Sequence, residues 1–161
     1  MPESKESNQA SPGEKRFLIQ KIYVKDLSFE TPNSPKIFTE AWKPEINMQI
    51  SNTALVLSEG VHEVTLSLTV TVKLGEKTAY LAEVQQAGIF NIAGYGKKEL
   101  SAMVGSYCPN ILFPFAREAL SDIVTRGGFP QLLLSPVNFD ALYNEYMQQA
   151  EKQAATVKAK H

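Results

Sequence analysis

Apolar and polar side chains alternate without a break along residues 64–74. Val64, Leu66, Leu68, Val70, Val72 and Leu74 hold one parity, and Thr65, Ser67, Thr69, Thr71 and Lys73 hold the other. Strict alternation predicts a strand with one buried and one wet face, as in an antiparallel sheet covered on one side. Leu74-Gly75-Glu76-Lys77 predicts a hairpin turn into another strand over residues 78–86. Upstream, Arg16–Glu30 reads as a long strand with Phe17, Ile19, Tyr23, Leu27 and Phe29 on one parity. Leu18, Ile22 and Val24 take the opposite parity, so either both faces are partly covered or a bulge switches them. Ile46, Met48 and Ile50 alternate in a further strand, with Trp42 just before it.

Beyond residue 96 the period changes from two to between three and four. Leu100, Met103, Val104 and Tyr107 form a helical stripe, interrupted by Cys108-Pro109. Asn110 offers a cap, and Pro114 falls in the first turn after it, where its missing N–H breaks no bond. Leu112, Phe115, Ala116, Ala119, Leu120 and Ile123 continue at helical spacing, while Arg117, Glu118, Ser121 and Asp122 lie largely off that face. Gly127-Gly128 can end this helix. A last helix begins near Asn138, with Phe139, Leu142, Tyr143 and Tyr146 at i, i+3, i+4 and i+7. The connection between the helices, FPQLLLSP (residues 129–136), is unusually apolar, so it is buried or lines a surface for apolar material. Strands first and helices after predict an α+β fold: a four-stranded antiparallel sheet carrying a long Pro-broken helix and a second, C-terminal helix on one face. Residues 1–15 read as a disordered polar tail, 16–147 as the domain and 148–161 as a second polar, disordered tail.

Composition narrows the function. A chain of 161 residues with one cysteine forms one domain and no intrachain disulfide. Residues 17–147 carry ten Lys/Arg against thirteen Asp/Glu, a net of −3, which argues against a nucleic-acid partner. No stretch approaches the roughly 20 apolar residues of a membrane span, and the polar start lacks a secretory signal, so a cytoplasmic protein is expected. Catalytic constellations are absent from the pattern. Cys108 could be a nucleophile only beside a base, and the two histidines are His62 and His161. Two histidines and one cysteine fall short of a structural zinc set. Gly94-Tyr95-Gly96-Lys97 lacks most of a phosphate loop and reads as a helix-entry turn. No enzyme activity, cofactor, nucleotide or metal is expected.

SYCPNILFPFARE (residues 106–118) closely resembles the signature helix of the SecB family, the bacterial export chaperones. AEVQQAGIF (82–90), KDLSFETPNSP (25–35) and GGFPQLLLSPVNFDALY (127–143) resemble the family too, in its order, over roughly residues 16–147. The resemblance implies an ATP-independent chaperone that binds non-native precursors, keeps them translocation-competent and delivers them to the SecA motor. It also implies a homotetramer, a dimer of dimers with the long helices sandwiched between sheets.

A protein that holds many different unfolded chains needs an apolar groove lined by adaptable or aromatic side chains. The candidates are Trp42, Ile46, Met48, Ile50, Phe129, Leu132, Leu134, Phe139, Tyr143 and Tyr146; each is core or groove on its own spacing, and the resemblance favours groove. Asp26, Glu30, Leu81 and Glu83 form a small acidic patch if their strands pair. In the family that surface docks SecA, including its basic, zinc-holding C-terminal tail, the zinc belonging to SecA. Tyr80, Ala82, Val84 and Gln86, on the opposite parity, are the expected oligomer interface. Rival readings are a SecB-like chaperone serving a toxin–antitoxin system, a binder of one small apolar ligand, and an enzyme using Cys108.

Overall fold

Two β-bulges let β1 (Arg16–Glu30) keep a single apolar face over its whole length. Phe17 and Ile19, then Ile22 and Val24, then Leu27 and Phe29 lie opposite Ile92, Phe90, Gly88, Gln86, Val84 and Ala82 of β4 (Lys77–Ala93). Directly opposed residues share a face, so all six point the same way. The parity switches in the sequence are these bulges, between Ile19 and Lys21 and between Val24 and Asp26. Tyr23 is thereby moved to the other face, where its hydroxyl donates to Glu63.

The computed structural model describes residues 13–160, so the polar start expected over residues 1–15 lies mostly outside the described residues. With β2 (Glu45–Ser58) and β3 (Val61–Leu74), the four strands form one antiparallel sheet in the order β1-β4-β3-β2. Gly75 takes φ +62° in the β3–β4 turn, a conformation glycine adopts at little cost. β4 runs on to Ala93, past the end expected near residue 86. Ala87-Gly88 weakens the strand signal there. A Cβ at Gly88 would lie 2.7 Å from the Phe90 ring and 3.1 Å from Leu112, so α2 packs closely over the strand here.

The helix layer begins with α1 (Lys97–Ala102), widens into a π-helical turn (Met103–Tyr107) and continues as α2 (Cys108–Arg126). The break expected at Cys108-Pro109 is therefore this widened turn. Pro109, not Pro114, takes the first-turn position that tolerates a missing N–H. Pro114 sits inside α2 on its exposed flank. Leu112, Phe113, Ala116, Leu120 and Val124 are buried against β3 and β4, while Phe115, expected on that stripe, is exposed. α2 ends at Gly127, with Gly128 at φ +88°.

Asn138 caps α3 (Phe139–Ala159), its side chain accepting from the Ala141 N–H at 3.0 Å. Residues 148–159, expected to belong to a disordered tail, continue this helix. Ala, Gln, Glu and Lys are strong helix formers, and they propagate a turn already nucleated by tertiary contact. From Asn144 onward every described side chain of α3 is exposed. At the other end of the chain, Lys15 pairs with Glu99 of α1 at 2.9 Å.

Candidate binding surfaces

An α-helix with its side chains is about 10–12 Å across, and strands lie about 4.8 Å apart, so one helix covers roughly two strands of a sheet. Here α2 lies over β3 and β4. Val64, Leu66, Leu68, Val70 and Val72 of β3 and Tyr80, Ala82, Val84 and Phe90 of β4 are fully buried beneath the helix layer. The two edge strands receive much less cover. Ile19, Val24 and Leu27 on the inner face of β1, and Ile46 and Val56 on the inner face of β2, remain exposed. A soluble chain normally avoids such contiguous apolar surface unless something binds there.

On the β2 side, Ile46, Met48 and Ile50 share the inner face opposite Val72, Val70 and Leu68. Ile46 is 53 % exposed, and Met48 and Ile50 are half-buried. Trp42 stands at one end, partly exposed, with its ring 5.8 Å from that of Phe129. Leu134 and Tyr143 are half-buried and Tyr146 is 69 % exposed. The other three groove candidates are held by the chain itself. Phe129 is clasped by Phe29, Phe38, Trp42 and Tyr80, with ring centroids 4.9 to 6.3 Å away. Phe139 meets Phe113 at 5.7 Å, and Leu132 is buried in the core. The apolar loop thus buries Phe129 and Leu132 and half-buries Leu134, while Leu133 is strongly exposed.

On the β1 side a groove of about 960 Å³ runs between the strand and the outer flank of α2. Ile22, Val24 and Gln86 lie on the strand side, Phe115 and Ala119 on the helix, and Leu133 on the loop. Gln86 is only 3 % exposed. Its Nε2 donates to the Tyr23 carbonyl at 3.1 Å, and its Oε1 has no partner among the described residues. Tyr80, Ala82 and Val84, expected with Gln86 at an oligomer interface, lie under α2 and present no free surface. Surplus apolar surface instead sits one strand over, on β1.

The outer face of the sheet is wet and charged. Register sets Glu30 opposite Leu81, Ser28 opposite Glu83 and Asp26 opposite Gln85, so the four expected acidic-patch residues do share one face. Glu83 accepts from Thr69 Oγ1 at 3.2 Å; Asp26 and Glu30 are exposed. Farther along, Lys25 at 2.8 Å and the Tyr23 hydroxyl hold the Glu63 carboxyl below its usual range, and that bond raises Tyr23 to about 12. Cys108 is buried, and burial alone pushes its thiol up to about 12, so it stays protonated and unreactive. Among the described residues no cluster of three or more His, Cys, Asp or Glu is placed to hold a metal, and no helix is long and apolar enough to cross a membrane.

A family model described as preprotein translocase subunit SecB matches residues 9–150. The chain belongs to the SecB family. It is 64 % identical over 142 residues to the protein-export protein SecB of Nitrosococcus oceani, covering 87 % of each chain. It is 57 % identical over 148 residues to that of Methylococcus capsulatus, covering 92 % of this chain and 96 % of the relative. Among solved structures, a SecB-like chaperone of Mycobacterium tuberculosis, in complex with a ChAD peptide from the HigA1 antitoxin, shares the fold. The TM-score is 0.64 at 19 % identity, covering 76 % of this chain and 91 % of the other. Val24, Leu27, Phe38 and Phe115 are exposed apolar residues that spacing did not mark as site residues. The signal for the β1 pair was present in the double switch of parity along that strand.

Proposed function

We propose that this chain is a protein-export chaperone that binds non-native precursors without nucleotide, keeps them unfolded and hands them to SecA. One observation carries the reading. The inner sheet face is wider than the helix that covers it, leaving two apolar troughs, one beside each edge strand. The relatives at 64 % and 57 % identity bear the name of protein-export proteins, which favours export over service to a toxin–antitoxin pair.

In this reading the β2 trough takes the client. Trp42, Ile46, Met48, Ile50, Leu134 and Tyr146 offer an uncharged, adaptable lining, and Phe129, Leu132 and Phe139 form the packed base that holds it open. Such a surface selects for apolar side chains rather than for a sequence. The β1 groove takes a second copy of the chain, building a dimer of dimers. A donor from that copy would satisfy the orphaned Gln86 Oε1, an omission that otherwise costs about 1–3 kcal/mol. Asp26, Glu30 and Glu83 beside Leu81 would receive SecA on the outer face, where charge complementarity speeds encounter and fixes orientation. Holding a chain by apolar burial involves no bond-making, so the proposed role is non-enzymatic; delivery of precursors for export sets it in the cytoplasm.

The test is refolding of a slow-folding precursor with this protein added and no nucleotide. Refolding that stalls near one assembly per precursor is expected. A precursor that folds at its free rate beside demonstrably folded protein would overturn the reading.

A further inference from the structure

α3 has one principal seat. Its first turns rest on the π-helical turn, and the rest of the helix runs on exposed. Three contacts make the seat. The Tyr143 ring lies against the bare backbone of Gly105, where an added Cβ would come within 2.6 Å of Cδ2 and 2.8 Å of Cε2. The Tyr143 hydroxyl is 2.7 Å from Ser101 Oγ. Ser106, buried, donates from Oγ to the Asp140 carboxylate. The same turn is tied to the sheet by Asn52 of β2, whose Nδ2 donates to the Val104 carbonyl at 3.0 Å. A five-residue segment thus touches both β2, the strand that floors the trough, and α3. Next to the seat the packing is loose: a cleft of about 280 Å³ opens between Met103, Ser106, Tyr107, Val137 and Phe139.

We propose that Gly105, Ser101, Ser106, Asp140 and Tyr143 form a latch that positions α3 against the β2 trough. Closed, the latch holds the helix at a set distance from β2. Released, α3 pivots about the buried Phe139 and the trough loses that wall. Tyr143 is then a positioning residue, which acts on the client through the angle of the helix. The proposal rests on the β2 trough being the client groove.

The test is a double-mutant cycle on the full chain, read by amide hydrogen exchange and by release of a dye-labelled, carboxymethylated unfolded protein. Gly105→Ala places its methyl where the Tyr143 ring sits. Exchange across residues 139–147 is expected to rise at least about tenfold, with β3 amides unchanged. Tyr143→Ala alone should do the same, and Gly105→Ala should add nothing in that background. Tyr143→Phe, which keeps the ring on Gly105, should give a smaller rise. Client release should quicken about tenfold wherever exchange rises, since interface changes act mainly on dissociation. Asp140→Ala, at an exposed position, probes the same seat if Gly105→Ala fails to fold. Additive effects at Gly105 and Tyr143, or faster exchange with unchanged client release, would overturn the proposal. If the wild-type chain binds no unfolded protein, the chaperone reading fails and client positioning fails with it, while the exchange cycle still decides whether the seat is coupled.

Discussion

Spacing left Phe129 as either core or groove and the resemblance favoured groove; the structure makes it the centre of an aromatic cluster. Its ring lies 4.9 Å from Phe38 and Tyr80, 5.8 Å from Trp42 and 6.3 Å from Phe29. Only 6 % of the residue is exposed. Phe129→Ala therefore removes a whole buried ring and leaves a cavity among four others. Such truncations cost about 3–5 kcal/mol, and the upper half applies here because aromatic neighbours lose paired contacts as well as burial. With a urea slope of about 2 kcal/mol/M, the midpoint should fall by about 2 M. Trp42 is the one tryptophan of the chain and touches the substituted ring, so its emission reports the site directly. The assay is urea unfolding at fixed protein concentration, followed in parallel by tryptophan emission and far-ultraviolet circular dichroism. A red-shifted native emission and the lower midpoint are expected together. Phe129→Leu, which refills much of the space, should recover more than half of the loss. A midpoint within about 0.5 M of wild type, which is near 1 kcal/mol on that slope, would refute the assignment of Phe129 to the core.

Glu83→Lys should weaken SecA docking about tenfold or more while the melting temperature stays within about 2 °C, since the change reverses a rim charge on a wet face; unaltered docking by titration calorimetry would remove the acidic patch from the account. Val24→Asp combined with Leu27→Asp should lower the sedimentation coefficient toward that of a smaller species, because burying unpaired carboxylates at a contact is strongly unfavourable; an unchanged coefficient would mean that β1 is not an assembly surface. Cys108 should resist a thiol reagent at pH 8 in the native chain and react fully in urea. Burial raises the folded thiol from 9.0 to about 12, so its contribution to stability is whole below pH 9 and is lost as pH rises toward 12. Cys108→Ala should delay the onset of alkaline unfolding. A variant that unfolds along the wild-type pH curve would show that the thiol is not its first cause.

Much of the architecture was legible because one strand reads so clearly. The alternation from Val64 to Leu74 specified an antiparallel sheet with one wet face, and Gly127-Gly128 and Asn138 marked helix ends by the backbone chemistry they supply. The register of β1 was visible only as a puzzle. A bulge is decided by how the strand meets its neighbour, and no local pattern says where the extra residue falls. The same limit explains Phe113 and Phe115. The buried stripe, Leu112, Phe113, Ala116, Leu120 and Val124, is rotated from the one that the spacing suggested, because the way α2 lies on the sheet decides which flank is covered. Burial at Phe129, Leu132 and Phe139 depends on where an irregular loop returns to the sheet, which periodicity does not encode. Parity alone put Asp26 with Glu30 and Leu81 with Glu83, and the register then sets all four on one face.

The two troughs arise from the same geometric shortfall, yet their linings differ in a way that bears on what fills each. The β1 groove is flanked by Arg117, Glu118 and Asp122 along α2. A patch carrying both signs of charge suits a contact with its own copy. About a two-fold axis each basic residue can meet the other copy's acidic residue and be met in return, and a one-signed patch would repel itself. The inner face of β2 differs: Ile46, Met48 and Ile50, with Trp42 at one end, carry no formal charge, and Glu45 and Lys73, which also line the cleft at Ile46, lie on the other parity. A fixed charge there would penalise every client segment that failed to answer it, and a holder of many sequences gains by having none. On the proposed reading, the apolar inner face of β2 suits a foreign chain, and the mixed charge beside β1 suits an identical one.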